Sequence, residues 1–413
     1  MDSEPLYLNP YENTYVEPDE EIIKMYKTHS KDDATAKVRE QLGHLDSITL
    51  NIAITGMTGS GKSTFVNAIR GLGSDDLGAA PTGVVETTLT NNMYLHPTMP
   101  NVKIWDLPGI GSPKFQAKKY LKEVKLDTFD FFIILSADRF KENDIMLAKA
   151  IKKKKKLFYF VRTKIDNDIQ TQRHRVQFKE QVMLISVRED CEKHLAQIGN
   201  PKVFLISSHN LDKYDFKDLI ATLEEELPDN KRRALIQSLP LCSLEVLKKK
   251  KAHFKKMVWL SAFAAGAAGL VPLPGVPVGC DIAILIEFFN KVYQSFGLDD
   301  ASLQRLADRI NKPVGPLRSA KKSRFADGVT RDVVLQFFER PLMKAALGTI
   351  TAFNFTLLCG SLPAGGLSVA MMYHLLNKGL LELEEDAKAV LQASELEHFE
   401  GLSETLLQMK MGH

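Results

Sequence analysis

Between residue 47 and about residue 228, short apolar runs alternate with stretches of helix length. Ile48-Thr49-Leu50-Asn51-Ile52-Ala53-Ile54, Val102–Trp105, Phe131–Leu135, Leu157–Val161 and Val203–Ile206 read as strands. The runs are nearly continuous rather than alternating, which predicts a mainly parallel sheet covered by helices on both faces. A sheet of that kind takes its ligand at the carboxyl ends of its strands.

On either side the pattern changes. Residues 1 to about 20 are acidic and polar, with Pro5, Pro10 and Pro18, and are expected to form a mobile arm. From Glu20 to Leu45 the scattered apolar residues Ile22, Ile23, Met25, Tyr26, Val38, Leu42 and Leu45 predict one or two short helices, too sparse to form a core alone. Glu226-Leu227-Pro228-Asp229 marks an expected domain boundary, beyond which the chain reads helical to its end. Two apolar stretches dominate there, Met257–Cys280 and Ala345–Tyr373, each interrupted by Pro and Gly. Both are broken before the ~20 apolar residues that a spanning helix needs. They read either as buried bundle helices or as hairpins that insert in a membrane. Six lysines within Lys248–Lys256 precede the first stretch, and such a cluster is worth ~1 kcal/mol per charge near an anionic bilayer. Lys152–Lys156 reads as a solvated helix end.

Composition narrows the classes. The chain has 413 residues, 44% hydrophobic and 25% charged, which allows two or three globular domains. A net charge of +3 is too small to point to nucleic acid, and no nucleic-acid partner is expected. Cys191, Cys242, Cys280 and Cys359 lie far apart without metal-ligand spacing, as expected for reduced thiols in a cytoplasmic protein. The opening Met1-Asp2-Ser3-Glu4 predicts neither a signal peptide nor an N-myristoyl anchor.

Candidate chemistry sits at the strand ends. Gly56-Met57-Thr58-Gly59-Ser60-Gly61-Lys62-Ser63, followed by Thr64, is a G-x-x-x-x-G-K-S phosphate-binding loop between a strand and a helix. Its glycines let backbone N–H groups wrap a phosphate chain; Lys62 would reach the β- and γ-phosphates, and Ser63 would offer a hydroxyl to Mg²⁺. Asp106-Leu107-Pro108-Gly109 follows the next strand, so that Asp106 can hold Mg²⁺ and the Gly109 N–H can face the γ-phosphate. Thr163-Lys164-Ile165-Asp166 ends another strand. The Asp166 carboxylate can accept the paired N–H donors of guanine, which adenine lacks. Lys164 would lie along the base and Thr163 would brace the loop. Ser207-Ser208 falls where backbone N–H groups could meet guanine O6. Between loop and aspartate lies Leu77–Thr88, in the position of a nucleotide-sensing switch. Thr82, Thr87 or Thr88 could give Mg²⁺ a hydroxyl, and spacing does not choose among them.

Gly56–Ser63, Gly78–Thr88, Pro100–Gly111 and Tyr159–Asp166 together resemble the interferon-inducible immunity-related GTPases. Tyr214-Asp215-Phe216 and Phe296–Leu303 extend the likeness more loosely. The resemblance implies a Ras-like α/β P-loop GTPase domain over residues 47–228, joined to an all-α domain built from residues 1–46 and 229–413. It also implies GTP/GDP and Mg²⁺ as ligands, and GTP-dependent self-assembly on intracellular membranes (endoplasmic reticulum, Golgi or vacuole) in cell-autonomous defence. The family's usual Ser-Asn in the guanine loop is Ser207-Ser208 here. In Ras-like enzymes a glutamine orients the attacking water; Ile110 occupies that position, so an isolated G domain is expected to hydrolyse slowly. The resemblance implies that a second G domain completes the site, with Glu86, Arg139 and Lys141 at the contact. Read without the resemblance, Arg139 and Lys141 are a solvated loop. A GTP-holding scaffold with negligible turnover is the rival class; an ATPase is disfavoured by Asp166.

Overall fold

The computed structural model describes residues 47–83, 91–109, 124–199, 201–267, 282–337 and 366–395. Six strands form one sheet: β1 (Leu50–Gly56), β2 (Asn92–Leu95), β3 (Val102–Asp106), β4 (Phe131–Ser136), β5 (Leu157–Arg162) and β6 (Val203–Leu205). Their order is β2-β3-β1-β4-β5-β6. All neighbours are parallel except β2, which runs antiparallel to β3 at the edge. The apolar pattern does not reveal β2. It has four residues and alternates half-buried with exposed positions, as an edge strand can.

Six helices cover the two faces: α1 (Lys62–Ile69), α2 (Glu142–Lys153), α3 (Ile165–Gln172), α4 (Glu180–Leu195), α5 (Phe216–Glu226) and α6 (Asp229–Ser238). Successive strand residues point to opposite faces, and the two cores divide accordingly. Ile52, Ile54 and Ile133 pack with Phe65 of α1, Leu219 of α5 and Leu235 of α6. Ala53, Phe132 and Ile134 pack with Leu147 of α2, Ile169 of α3 and Leu195 of α4. β4 is buried at all six positions, which accounts for its unbroken Phe-Phe-Ile-Ile-Leu.

A separate core joins α7 (Leu244–Ala267), α8 (Ile282–Ser295), α9 (Asp300–Ile310), α10 (Val314–Ala320) and α11 (Gly366–Glu395). Phe254, Phe288, Phe289, Phe296, Phe325 and Phe337 are at its centre, against Leu376, Leu380 and Leu383 of α11. The chain passes between the cores without a free linker. α6, just past the expected boundary, packs on the sheet, and so does Val246 of α7.

The lysine block before the first apolar stretch does not act as one patch. Lys250 is buried, Lys249 donates to Glu224 at 2.5 Å, and Lys251 pairs with Glu384. Lys248 and Lys256 are exposed and Lys255 is half-buried. With 3.6 residues per turn, consecutive lysines are distributed all round α7. Residues 1–46, 268–281 and 338–365, which hold the N-terminal segments and most of both apolar stretches, lie outside the described residues. Among the described residues, no helix is long and apolar enough to cross a membrane.

Candidate nucleotide site

The phosphate loop leaves β1 at Gly56, whose φ is +139°. A Cβ there would lie 2.0 Å from the Leu135 carbonyl oxygen of β4, so only hydrogen fits. Gly61 precedes α1 in the left-handed region, φ +83°, and turns the helix N-terminus back over the loop. The first-turn N–H groups of a helix have no intrahelical acceptor and suit an anion. Thr58 and Gly59 are exposed at the tip, Gly61, Ser63 and Thr64 are half-buried, and Ser60 is buried. Lys62 is 7% exposed and donates to the Met57 carbonyl at 3.2 Å, folded along the loop it would share with phosphate.

β3 lies beside β1 with Ile54 opposite Asp106. That register brings the Asp106 carboxylate onto Ser63, whose hydroxyl donates to Oδ2 at 2.6 Å. A hydroxyl touching a fully buried carboxylate is a pair of hard oxygen donors, which suits Mg²⁺. Ser63 and Asp106 would hold the ion, which when bound offsets charge on the β- and γ-phosphate oxygens. The turn after Asp106 closes over the loop. A Cβ on Gly109 would stand 2.3 Å from Thr58 Oγ1, so the backbone at 109 approaches the loop tip as no other residue could.

The Thr163–Asp166 turn meets the same loop from β5. Thr163 is 1% exposed, and its hydroxyl donates to the Ser60 carbonyl at 2.7 Å and, less closely, to that of Ser136 at 3.2 Å. Lys164 is left-handed, φ +59°, and its Cε passes 3.8 Å from the position of a Cβ on Gly61. Asp166 is half-buried in the first turn of α3. Arg162 holds this turn: Nη2 donates to Asp168 at 2.6 Å, and Nη1 to the carbonyls of Thr163 at 2.8 Å and of Ala137. Burial pushes the Asp168 carboxyl up, and Arg162 opposes it. After β6, Ser207 is buried and Ser208 half-buried. The Ser207 hydroxyl is buried with no hydrogen-bond partner among the described residues, a polar atom that a base could satisfy. Asp215 clamps this loop to β6, accepting the Leu205 N–H and an Arg188 donor at 2.7 Å each.

Asn67 of α1 and Arg70, which caps that helix, hold the segment from Gly78 to Ala80. Asn67 Oδ1 accepts the Ala80 N–H at 2.7 Å and its Nδ2 donates to the Ala80 carbonyl at 2.9 Å. Arg70 Nη2 donates to the Gly78 carbonyl at 3.0 Å. Sequence reasoning misses both; their one signal is a polar residue on the buried face of a short helix. Arg162, Asp168 and Asp144 are missed in the same way. Thr82 is exposed, and Glu86, Thr87, Thr88 and Ile110 lie outside the described residues.

Arg139 and Lys141 lie on the loop from β4 to α2. The Arg139 side chain is 72% exposed and pairs with Asp190 at 3.3 Å. Lys141 is exposed and begins α2: its N–H donates to Asp144 Oδ2 at 2.9 Å, and its carbonyl accepts the Asp144 N–H at 3.0 Å. Asp144 is fully buried. Burial pushes its carboxyl up to about 6, against the Lys141 backbone bond and the charges of Lys141 and Lys62. Thr163 bridges the Ser60 and Ser136 carbonyls, and the Ser136 hydroxyl donates to the Arg139 carbonyl at 3.2 Å, which ties this loop to the phosphate loop.

A phosphate loop at the strand ends of a doubly covered sheet, with the Asp106 and Thr163–Asp166 turns packed against it and a helical domain attached, defines a P-loop GTPase. Residues 17–394 match the family Interferon-inducible GTPase (IIGP), and the chain belongs to that family. It is 40% identical over 362 residues to Interferon-inducible GTPase 5 of Rattus norvegicus, covering 86% of this chain and 78% of that one. It is 37% identical over 360 residues to Interferon-gamma-inducible GTPase 10 of Mus musculus, covering 86% and 84%. Interferon-inducible GTPase 1 of Mus musculus is 43% identical over 274 residues, 65% of this chain and 66% of that one. The protein is thus a GTP-binding hydrolase of an immunity-related family.

Proposed function

We propose that the protein hydrolyses GTP to GDP and phosphate with Mg²⁺ held by Ser63 and Asp106, and that turnover rises when two G domains meet across their nucleotides. The observation that carries this reading is the loop from Asp138 to Asp144. It is tied to the phosphate loop through Thr163 and Ser136 and pinned at Asp144, yet presents Arg139 and Lys141 to solvent. An exposed ion pair such as Arg139–Asp190 is worth ~0–1 kcal/mol, so Arg139 can exchange Asp190 for a partner at little cost. Lys62 leaves the Met57 carbonyl for phosphate, Gly109 presents its N–H to the γ-phosphate, and Asp166 selects guanine. Glu86 from the switch joins Arg139 and Lys141 at the contact, and Thr82 is the proposed third oxygen donor of the metal site. A two-fold contact brings each surface to its own copy.

Turnover per molecule is expected to rise with protein concentration, and Arg139→Glu is expected to flatten that rise while nucleotide affinity holds. Constant specific activity over a roughly hundredfold dilution, with the protein monomeric by light scattering in GTP, would overturn the assembly step. Work at an intracellular membrane surface belongs to the same proposal, supported by the outward Lys248 and Lys256 on α7. Changing Lys248, Lys255 and Lys256 to Gln is expected to weaken flotation with anionic vesicles, most at low salt. Unchanged flotation at every salt concentration removes α7 from that role.

A further inference from the structure

A cleft of about 70 Å³ lies where the sheet meets the helical core. Arg70 and His96 line it from the nucleotide-binding side, and Lys250, Ser295, Arg305 and Arg309 from α7, α8 and α9. The volume exceeds the ~10–15 Å³ that one water needs and suits one tetrahedral oxyanion. Five of the described lining side chains are basic and none is acidic.

Two of these basic side chains are deep. Lys250 is 2% exposed and bonds to neutral oxygens alone, the Gln237 carbonyl at 3.0 Å, the Ser295 carbonyl at 2.8 Å and the Ser295 hydroxyl at 3.4 Å. Arg70 is 7% exposed. Its Nε and Nη2 reach the Leu95 carbonyl at 3.1 and 3.0 Å, whereas Nη1 is buried and meets no acceptor among the described residues. A buried charge is ordinarily paired, and a buried donor ordinarily bonded. Arg309 is attracted by the carboxylate of Asp212, a residue that does not line the cleft. Burial, together with Lys250, Arg70 and Arg305, drives His96 down to about 3.

We propose that this cleft binds a phosphate-type oxyanion, as the free ion or as the terminal phosphate of a small molecule. Burial pulls the Lys250 amine down to about 7; an anion beside it favours the protonated amine and supplies the acceptor that Arg70 Nη1 lacks. Arg305 and Arg309, one turn apart on α9, close round it. Arg70 also caps α1 and holds the Gly78 carbonyl at the entrance to the switch segment. An anion here ties the end of the phosphate-loop helix to α7 and α9, and so couples the nucleotide side to the helical core.

The test uses the full chain saturated with a non-hydrolysable GTP analogue and Mg²⁺, so that the phosphate loop is already filled. Inorganic phosphate is titrated against chloride at constant ionic strength, following the melting temperature and the phosphorus-31 line width. A saturable rise in melting temperature with line broadening is expected for phosphate and not for chloride. Lys250→Met, and separately the double variant Arg305→Gln with Arg309→Gln, are expected to weaken that binding about tenfold or more, the loss of a charge-assisted hydrogen bond. The double variant lies towards the mouth and keeps the test valid if Lys250→Met fails to fold. A simple phosphate monoester separates the two sources: binding of both ligands assigns a terminal phosphate, and binding of the ion alone assigns the free ion. No saturable response in the wild type, or undiminished affinity in the double variant, overturns the proposal.

Discussion

Asp144 offers a quantitative test of how the loop beside the phosphate site is held. Its carboxyl is fully buried, and burial raises it from 3.8 to about 6. The sign follows from proton binding. Below pH 3.8 both folded and unfolded chains are protonated, and Asp144 adds no pH dependence. Between 3.8 and about 6 the unfolded chain ionises while the folded one keeps its proton, so stability falls as pH rises. Above about 6 both are ionised and the loss is complete. At 1.36 kcal/mol per pH unit, the loss is about 1 kcal/mol at pH 4.5 and approaches about 3 kcal/mol at pH 7. Asp144→Asn keeps an oxygen for the Lys141 N–H but cannot ionise. How the amide packs sets a constant offset; it does not alter the pH slope. Urea unfolding of both proteins in saturating GDP, from pH 4.5 to 7, cancels every other titration. The variant should gain about 2 kcal/mol on the wild type across that window. Parallel curves would mean that Asp144 is solvated, and that the Asp138–Asp144 loop is not pinned as described.

Two further perturbations probe the chemistry. Gly109→Ala places a methyl 2.3 Å from Thr58 Oγ1 and must lift the turn from the loop; single-turnover GTP hydrolysis is expected to fall on the order of 10²-fold, more than GDP affinity falls. An unchanged rate would remove the Gly109 backbone from the phosphate site. Asp166→Asn is expected to move base preference from guanine towards xanthine in a competition titration, because an amide donor complements the 2-oxo group. Retained preference for GTP would show that Asp166 does not read the base.

The phosphate loop was legible because its function rests on consecutive residues. Gly56 and Gly61 set the local backbone shape, Lys62 and Ser63 follow directly in the chain, and covalent neighbours stay neighbours in any fold. Asp106 and Thr163–Asp166 were legible for a related reason: apolar runs mark strand ends, and a parallel sheet gathers those ends on one edge. The sheet itself followed from runs such as Phe131–Leu135, whereas the half-exposed edge strand Asn92–Leu95 carried no such mark. What the chain order could not supply was the partner of each charge. Six lysines at Lys248–Lys256 form one block in sequence; helical rotation and the crossing of α7 with its neighbours bury Lys250, pair Lys249 and Lys251, and leave Lys248 and Lys256 outside. Arg70 against Gly78, Asn67 against Ala80 and Arg162 against Asp168 likewise depend on side chains meeting after packing. Hydrophobic periodicity specifies which face of an element is buried. Only the tertiary structure decides which polar group that face meets, because that choice is set by the angle and register at which two elements pack.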